Sequence, residues 1–182
     1  MTIAIFSGLN SEYQNLINSF NQSELIFIGY DDALPIKCDS LILLDDFKSK
    51  DNINFLIEAI RLDKKILGVG KGIIPIINYF AKTNFKQKQF TGSDSTFIAL
   101  GSKFAEIIGG AGPLKTHYKV DWEVPIKFIP NNFLISAFNT GNGCIEALES
   151  LNSNQVLGVI WPIFNSEKSP SGFQNILSWI YE

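Results

Sequence analysis

Residues 65–72 (KILGVGKG) hold the pattern in this chain that is closest to a catalytic motif: an apolar strand, a glycine-rich turn and then an apolar helix. In a nucleophile elbow, a reactive side chain stands at the tip of such a turn. Flanking glycines relieve crowding there, and the helix N-terminus favours negative charge. The tip residue here is Gly70, which carries no side chain. The pattern therefore predicts the geometry of an elbow that lacks its nucleophile.

The other residues that often do chemistry are sparse. The two cysteines, Cys38 and Cys144, are too few for a disulfide framework and have no metal-ligand spacing. We predict that both are buried and inert, as small apolar side chains. The sequence therefore predicts no metal site and no cofactor.

The composition limits the class of protein. At 182 residues and 46% hydrophobic, the chain is long enough for one core and short for two, which predicts a single domain over 1–182. A net charge of −3 gives no reason to expect nucleic acid as a partner. The N-terminus has no basic region, and no apolar run is long enough to cross a bilayer, so we expect a cytoplasmic protein without a membrane partner.

Strand and helix patterns alternate through the first half of the chain. A capping box of Ser11 and Gln14 predicts one helix, Asp51 is a candidate N-cap for a second, and Pro75 is tolerated in a third if it lies in the first turn. The predicted strands are 2–6, 25–28, 41–44 and a strand that ends at Val69. This alternation predicts a parallel sheet with helices on both faces, and such folds bind ligands at the carboxyl ends of their strands.

The second half is typical of antiparallel structure. Residues 139–143 (NTGNG) form a good hairpin turn between two strand-like runs. The predicted elements are strands over 97–100, 133–138, 144–148 and 156–160, with helices over 102–108 and 174–181.

Three segments in this order, 66–72, 143–147 (GCIEA) and 156–162 (VLGVIWP), together resemble the class I glutamine amidotransferases. The likeness is greatest to the branch that includes gamma-glutamyl hydrolases of the gamma-glutamyl-GABA type. Members carry a Gly-Ile-Cys-x-Gly elbow, an Asp-Gly-x-x-Glu-Ala hairpin and a Gly-Val-Gln-x-His-Pro-Glu segment. The resemblance spans nearly the whole chain, with every motif degenerate. It implies a flavodoxin-like, three-layer α/β sandwich, with a mostly parallel sheet and extra antiparallel strands in the second half.

The resemblance also implies that the catalytic triad is missing. The family's cysteine falls on Gly70, its histidine falls on or beside Pro162, and its glutamate falls near Phe164. Attack on an amide needs a low-pKa sulfur, a base that takes and returns the proton, and donors for the tetrahedral oxygen. No shift of the alignment restores the histidine, since none lies between Tyr118 and the C-terminus. We therefore expect no glutaminase activity.

The remaining pocket positions predict a changed ligand. Where the family has oxyanion-hole glycines after the third strand, this chain has Asp45 and Asp46, which would repel an oxyanion. Lys71 follows Gly70 at the helix start, and His117 falls where the resembled hydrolases have a pocket-lining segment. The candidate ligand-binding residues are therefore Asp45, Asp46, Gly70, Lys71 and His117. The four with side chains also have simpler interpretations: Lys71 as an exposed helix-start residue, the two aspartates as a solvated loop, and His117 as a surface or strand residue.

Three functions remain open. The first is an inactive amidotransferase-like protein with a binding or regulatory role, whose partner is a small carboxylated ligand, a synthetase or other enzyme subunit, or a second copy of the chain. The second is a hydrolase or amidotransferase with changed chemistry, acting on a gamma-glutamyl or other small carboxylated compound. The third is a receiver-like signalling domain, in which an aspartate after the third strand accepts phosphate. Such a domain also needs acids after its first strand, where this chain has Ser7 and Gly8.

Overall fold

The computed structural model describes residues 1–7, 24–44, 53–82, 88–89, 95–116, 122–151, 155–164 and 170–182. Three candidate site residues, Asp45, Asp46 and His117, lie outside this part of the chain. So do the predicted helix caps at Ser11 and Asp51.

The elements follow the chain as short strands and helices. The strands are β1 (Thr2–Phe6), β2 (Glu24–Ile28), β3 (Ser40–Leu43), β4 (Lys65–Val69), β5 (Lys88–Gln89), β6 (Ser95–Ile98), β7 (Gly112–Lys115), β8 (Trp122–Glu123), β9 (Phe133–Asn139), β10 (Ile145–Ser150) and β11 (Val156–Val159). The α-helices are α1 (Asn54–Arg61), α2 (Ile73–Ala81), α3 (Lys103–Ile108) and α4 (Asn175–Tyr181), and single 3₁₀ turns cover Gly70–Gly72 and Ile126–Phe128.

One mixed sheet contains both halves of the chain. In the described residues it has nine strands in the order β2, β1, β3, β4, β11, β10, β9, β6, β7, and β5 pairs with β8 apart from it. The first five strands run parallel, and each remaining strand is antiparallel to its neighbour. The prediction of a parallel first half is therefore confirmed. The antiparallel prediction for the second half holds for β6, β7, β9 and β10, but β11 runs parallel to β4 and antiparallel only to β10.

Helices cover both faces of this sheet. On one face, Phe55 of α1 packs against Phe6 of β1, with ring centroids 5.2 Å apart, and α2 contacts β4 and β11. On the other face, α3 contacts α4, β9 and β10. Buried runs such as Ile3–Phe6 and Leu41–Leu43 lie between these layers, because a strand covered on both faces needs apolar side chains in both directions. The three-layer α/β prediction is confirmed.

The start of α2 lies unusually close to the sheet. A Cβ atom at Gly72 would overlap the backbone oxygen of Leu43 at the end of β3. A Cβ atom at Gly68 would lie 2.7 Å from Gly72 O, and one at Gly158 would lie 2.7 Å from Ile73 Cγ1. Glycine at these positions therefore allows the backbone of α2 to rest against β3, β4 and β11.

Two local predictions were wrong. The strand predicted over 97–100 is Ser95–Ile98, and Leu100 is 80% exposed in the turn that follows. Helix α1, for which Asp51 was the predicted N-cap, has Ile53 at that position and no side-chain cap hydrogen bond. Its apolar face packs on the sheet and supplies the stability instead. Pro75 is the third residue of α2, in its first turn as predicted.

We expect Gly72→Ala to lower the free energy of unfolding by about 3 kcal/mol or more, because the added methyl group meets backbone atoms that cannot rotate away. Gly110→Ala is the matched control, since a Cβ atom there meets no atom of the described residues within 4 Å, and we expect a change within about 0.5 kcal/mol. Urea unfolding monitored by circular dichroism gives both values. Equal midpoints for the two variants would show that α2 does not depend on this close approach.

Candidate functional site

The predicted elbow is present at the carboxyl end of β4. Val69 has extended backbone angles (φ −121°, ψ 133°), and Gly70 follows in the left-handed region at φ +58° before the chain turns into α2. Among the described residues, no atom lies within 4 Å of where a Cβ atom at Gly70 would stand. The described part of the chain therefore leaves the tip of the turn open, and the backbone conformation there is one that glycine adopts without strain.

The strand ends beside the elbow are level with it. Val69 pairs with Val159 of β11, and Val159 pairs with Ala147 of β10. On the other side of β4, Gly68 pairs with Leu43 near the end of β3. The carboxyl ends of β3, β4 and β11 thus lie beside the start of β10. Parallel α/β folds bind their ligands at the carboxyl ends of their strands.

The loop after β11 contains apolar residues at the positions predicted to match a catalytic histidine and glutamate. Trp161 is buried, with its ring stacked on Phe104 (5.8 Å between centroids) and at an angle to Phe173 (4.9 Å). Pro162 and Phe164, which follow in the same loop, are half-buried. Neither residue has a side chain that can take a proton.

Lys71 is the charged residue of the elbow turn in the described part of the chain. It lies in the 3₁₀ turn that leads into α2, and its side chain is exposed. Its two predicted companions, Asp45 and Asp46, follow β3 outside the described residues, so whether the three charges converge stays a prediction.

Glu146 carries a buried carboxylate and lies on β10, near the same strand ends. The Ile160 N–H, just beyond β11, donates to the Glu146 backbone oxygen at 3.0 Å. The Glu146 carboxylate accepts hydrogen bonds from the Thr96 hydroxyl and from Asn139 Nδ2 (3.1 Å). Burial raises the pKa of Glu146, and the two hydrogen bonds oppose that rise. Asn139 also accepts from Gly141 N (3.0 Å), so this carboxylate is joined to the hairpin turn.

Cys144 lies in the hairpin turn just before β10, and its burial differs from the prediction. It is half-buried rather than buried, and its thiol lies 3.2 Å from Glu123 Oε2, to which it donates a hydrogen bond. Burial, followed by that hydrogen bond and the nearby carboxylates, raises the pKa of Cys144 to about 12. A thiol in this state is a poor nucleophile. The inertness predicted for Cys144 therefore has a cause in its acidic neighbours as well as in burial, whereas Cys38 is buried as predicted.

Glu149 connects a helix to the sheet, a role that was not predicted. Its carboxylate accepts from Lys103 N and Phe104 N at the start of α3, each at 2.8 Å, and from the Ser136 hydroxyl at 2.8 Å. A carboxylate at a helix N-terminus is stabilised by the free N–H groups there. The sequence contained one sign of this role. Glu146 and Glu149 lie three positions apart in a central strand, so their side chains lie on opposite faces of the sheet, and both faces are covered.

The described residues contain no cluster of three or more His, Cys, Asp or Glu side chains arranged to hold a metal ion. No helix in the described ranges is both long and apolar enough to cross a membrane.

Many solved structures share this architecture, and two of them serve as examples. A chain in the structure of PurLQS from Thermotoga maritima superposes with a TM-score of 0.70 and 13% sequence identity, over 99% of this chain and 97% of that one. The glutaminase domain of Trypanosoma brucei CTPS, solved with bound acivicin, gives a TM-score of 0.72 and 12% identity, over 99% and 93%. No protein-family model and no curated protein matches the sequence significantly. At such low identities the likeness establishes the fold alone, an α/β fold that this chain shares with both structures.

The buried carboxylate gives a pH-dependent prediction. Because the pKa of Glu146 is raised above its ordinary value of 4.5 on folding, its contribution to stability is complete below that value and is lost as the pH rises through the folded pKa. Glu146→Gln keeps the shape, and the Thr96 hydroxyl can reverse to accept from the new amide. We expect the variant to gain stability relative to the wild type as the pH rises above about 4.5. Denaturant unfolding of both proteins from acid to mildly alkaline pH measures the difference, and a difference independent of pH would contradict the assignment.

Proposed function

We propose that this protein, which has the fold of a glutamine amidotransferase domain, is catalytically inactive toward glutamine and acts by binding. The observation that carries the proposal is the open, side-chain-free tip of the elbow at Gly70. The position keeps the backbone turn that exposes a nucleophile in active elbows and provides no atom to attack a substrate.

The neighbouring residues support the same conclusion. If the family's motifs superpose as the resemblance implies, Pro162 and Phe164 leave the elbow without a proton acceptor and without the carboxylate that would orient one. Removing members of a catalytic triad costs orders of magnitude in rate, and each missing oxyanion donor costs roughly a further 2.7–4 kcal/mol. Cys144 is a poor replacement, because its thiol is protonated and donates to Glu123.

We propose that the bound molecule is a small carboxylated compound held at the strand ends by Lys71. The exposed ammonium group beside the N-terminus of α2 supplies positive charge for a carboxylate. Asp45, Asp46 and His117 complete the proposed set, and the aspartates would suit an amine on the same ligand. Gly70 contributes its backbone and the space above it.

The proposal extends to partners and location. One structural neighbour belongs to a structure of PurLQS, which supports a role for this chain as a subunit beside a synthetase or another enzyme. A cytoplasmic location and the absence of nucleic-acid partners are part of the same proposal, and the net charge of −3 supports the second.

The purified wild-type protein should release no ammonia from glutamine or from gamma-glutamyl amides above the rate of a blank, because no nucleophile stands at the elbow. Gly70→Cys should also release none, because position 162 offers no base. A cysteine at the positive φ of position 70 should lower the free energy of unfolding by about 1–2 kcal/mol. A coupled assay for ammonia and glutamate measures the activity, and urea unfolding measures the stability.

Cys144→Ser is the matched control for this assay, since it removes a thiol away from the elbow. Ammonia release by the wild type that persists after changes at Gly70 would contradict the proposal that the protein is inactive toward glutamine, and would show that the activity does not depend on the elbow. If that release disappeared in Cys144→Ser, the activity would belong to a different site with changed chemistry.

The ligand proposal predicts that a small dicarboxylate or gamma-glutamyl compound raises the thermal unfolding midpoint of the wild type by ligand linkage. Lys71→Gln should weaken this binding by roughly tenfold, equivalent to about 1.4 kcal/mol. Lys37→Gln, at another exposed lysine, should leave it unchanged. Titration calorimetry with the best ligand from a thermal screen gives the affinities, and equal affinities for the wild type and Lys71→Gln would exclude Lys71 from the site.

A further inference from the structure

The two edges of the nine-stranded sheet are protected differently. The β7 edge contains Pro113, which has no N–H to offer, and the exposed Lys115, both of which discourage another strand from pairing. The β2 edge, residues 24–28 (ELIFI), contains neither proline nor lysine. In the described residues, no strand lies beyond β2, and Phe27 is 45% exposed.

The register of β2 shows which of its backbone groups point outward. The Glu24 N–H donates to the Met1 oxygen at 3.1 Å, and Glu24 pairs with Thr2 of β1. Because alternate residues of a strand direct their backbone groups to the same side, Ile26 and Ile28 also face β1. The N–H and C=O groups of Leu25 and Phe27 therefore face away from the sheet.

This outward row is complementary to itself. If a second copy of β2 runs antiparallel with Ile26 opposite Ile26 of the partner subunit, then Leu25 lies opposite Phe27 of the partner subunit. Both of these residues point their backbone groups outward, so they can exchange hydrogen bonds as a hydrogen-bonded antiparallel pair. In this register Glu24 lies opposite Ile28 of the partner subunit, so no like charges oppose each other. If the pairing were centred on Leu25 or on Phe27 instead, one of these two outward-facing residues would lie opposite a residue outside β2.

We propose that β2 is a homodimerisation edge, at which two copies of this chain join antiparallel about Ile26 to form one continuous sheet. The apolar pairs of Leu25 with Phe27 would cover the exposed Phe27 ring on one face. The interaction involves none of the residues at the elbow, so it stands independently of the proposed ligand site.

Sedimentation velocity over a wide concentration range tests the proposal with the intact chain. We expect a concentration-dependent dimer, and Phe27→Lys should raise its dissociation constant about tenfold or more, since a lysine on an edge strand opposes pairing. Leu100→Lys alters an equally apolar but distant exposed residue and should leave dimerisation unchanged. A protein that stays monomeric, or a dimer that Phe27→Lys does not weaken, would overturn the proposal.

Disulfide trapping tests the register and does not depend on Phe27→Lys folding. In a Cys144→Ser background, Ile26→Cys should cross-link to its own copy under mild oxidation. Directly opposite residues that are not hydrogen-bonded have Cα atoms about 4.5 Å apart, which a disulfide can span. Leu25→Cys should not cross-link alone but should do so when mixed with Phe27→Cys. Equal self-cross-linking of Leu25→Cys and Ile26→Cys would overturn the register.

Discussion

The close approach of helix α2 to the sheet is the constraint on which the rest of the candidate site depends. Gly68, Gly72 and Gly158 each leave space where a side chain would collide with α2 or with the strand below it. This contact brings the elbow turn down to the ends of β3 and β11. Because interiors are packed at near-crystalline density, larger residues at these positions would lift the helix and separate the strand ends from the turn.

The sequence predicted the first half of the fold well because its signals are local. Continuous apolar runs such as Leu41–Leu43 are typical of strands covered on both faces, and Pro75 is compatible with only a few helix positions. Leu100 was assigned wrongly because an apolar residue next to a strand reads as its continuation, while the structure turns it outward to begin α3. Neither the order of the strands nor the insertion of β11 between β4 and β10 follows from local patterns.

The site was predicted in part. The elbow at Gly70 was recognisable because a glycine-rich turn between an apolar strand and a helix has few other uses, and its left-handed backbone agrees with that interpretation. The roles of Glu146 and Glu149 were missed because their partners, such as Thr96 and Ser136, lie on other strands and far away in the chain. Two buried glutamates in one strand are costly unless they are hydrogen-bonded, so their presence alone indicated donors on both faces.

The central position of β11 has a consequence for how the chain is made. Ile66 of β4 pairs with Val156 of β11, 90 positions later in the sequence, and this pair lies in the middle of the sheet. During synthesis, β1, β3 and β4 can assemble as soon as they leave the ribosome, whereas one side of β4 has no neighbour until β11 emerges. Closing so long a loop is entropically costly, and folding slows as such distant contacts increase. Until β11 emerges, the nascent chain therefore has an open apolar edge in the middle of its eventual sheet, and such an edge is prone to pair with other chains.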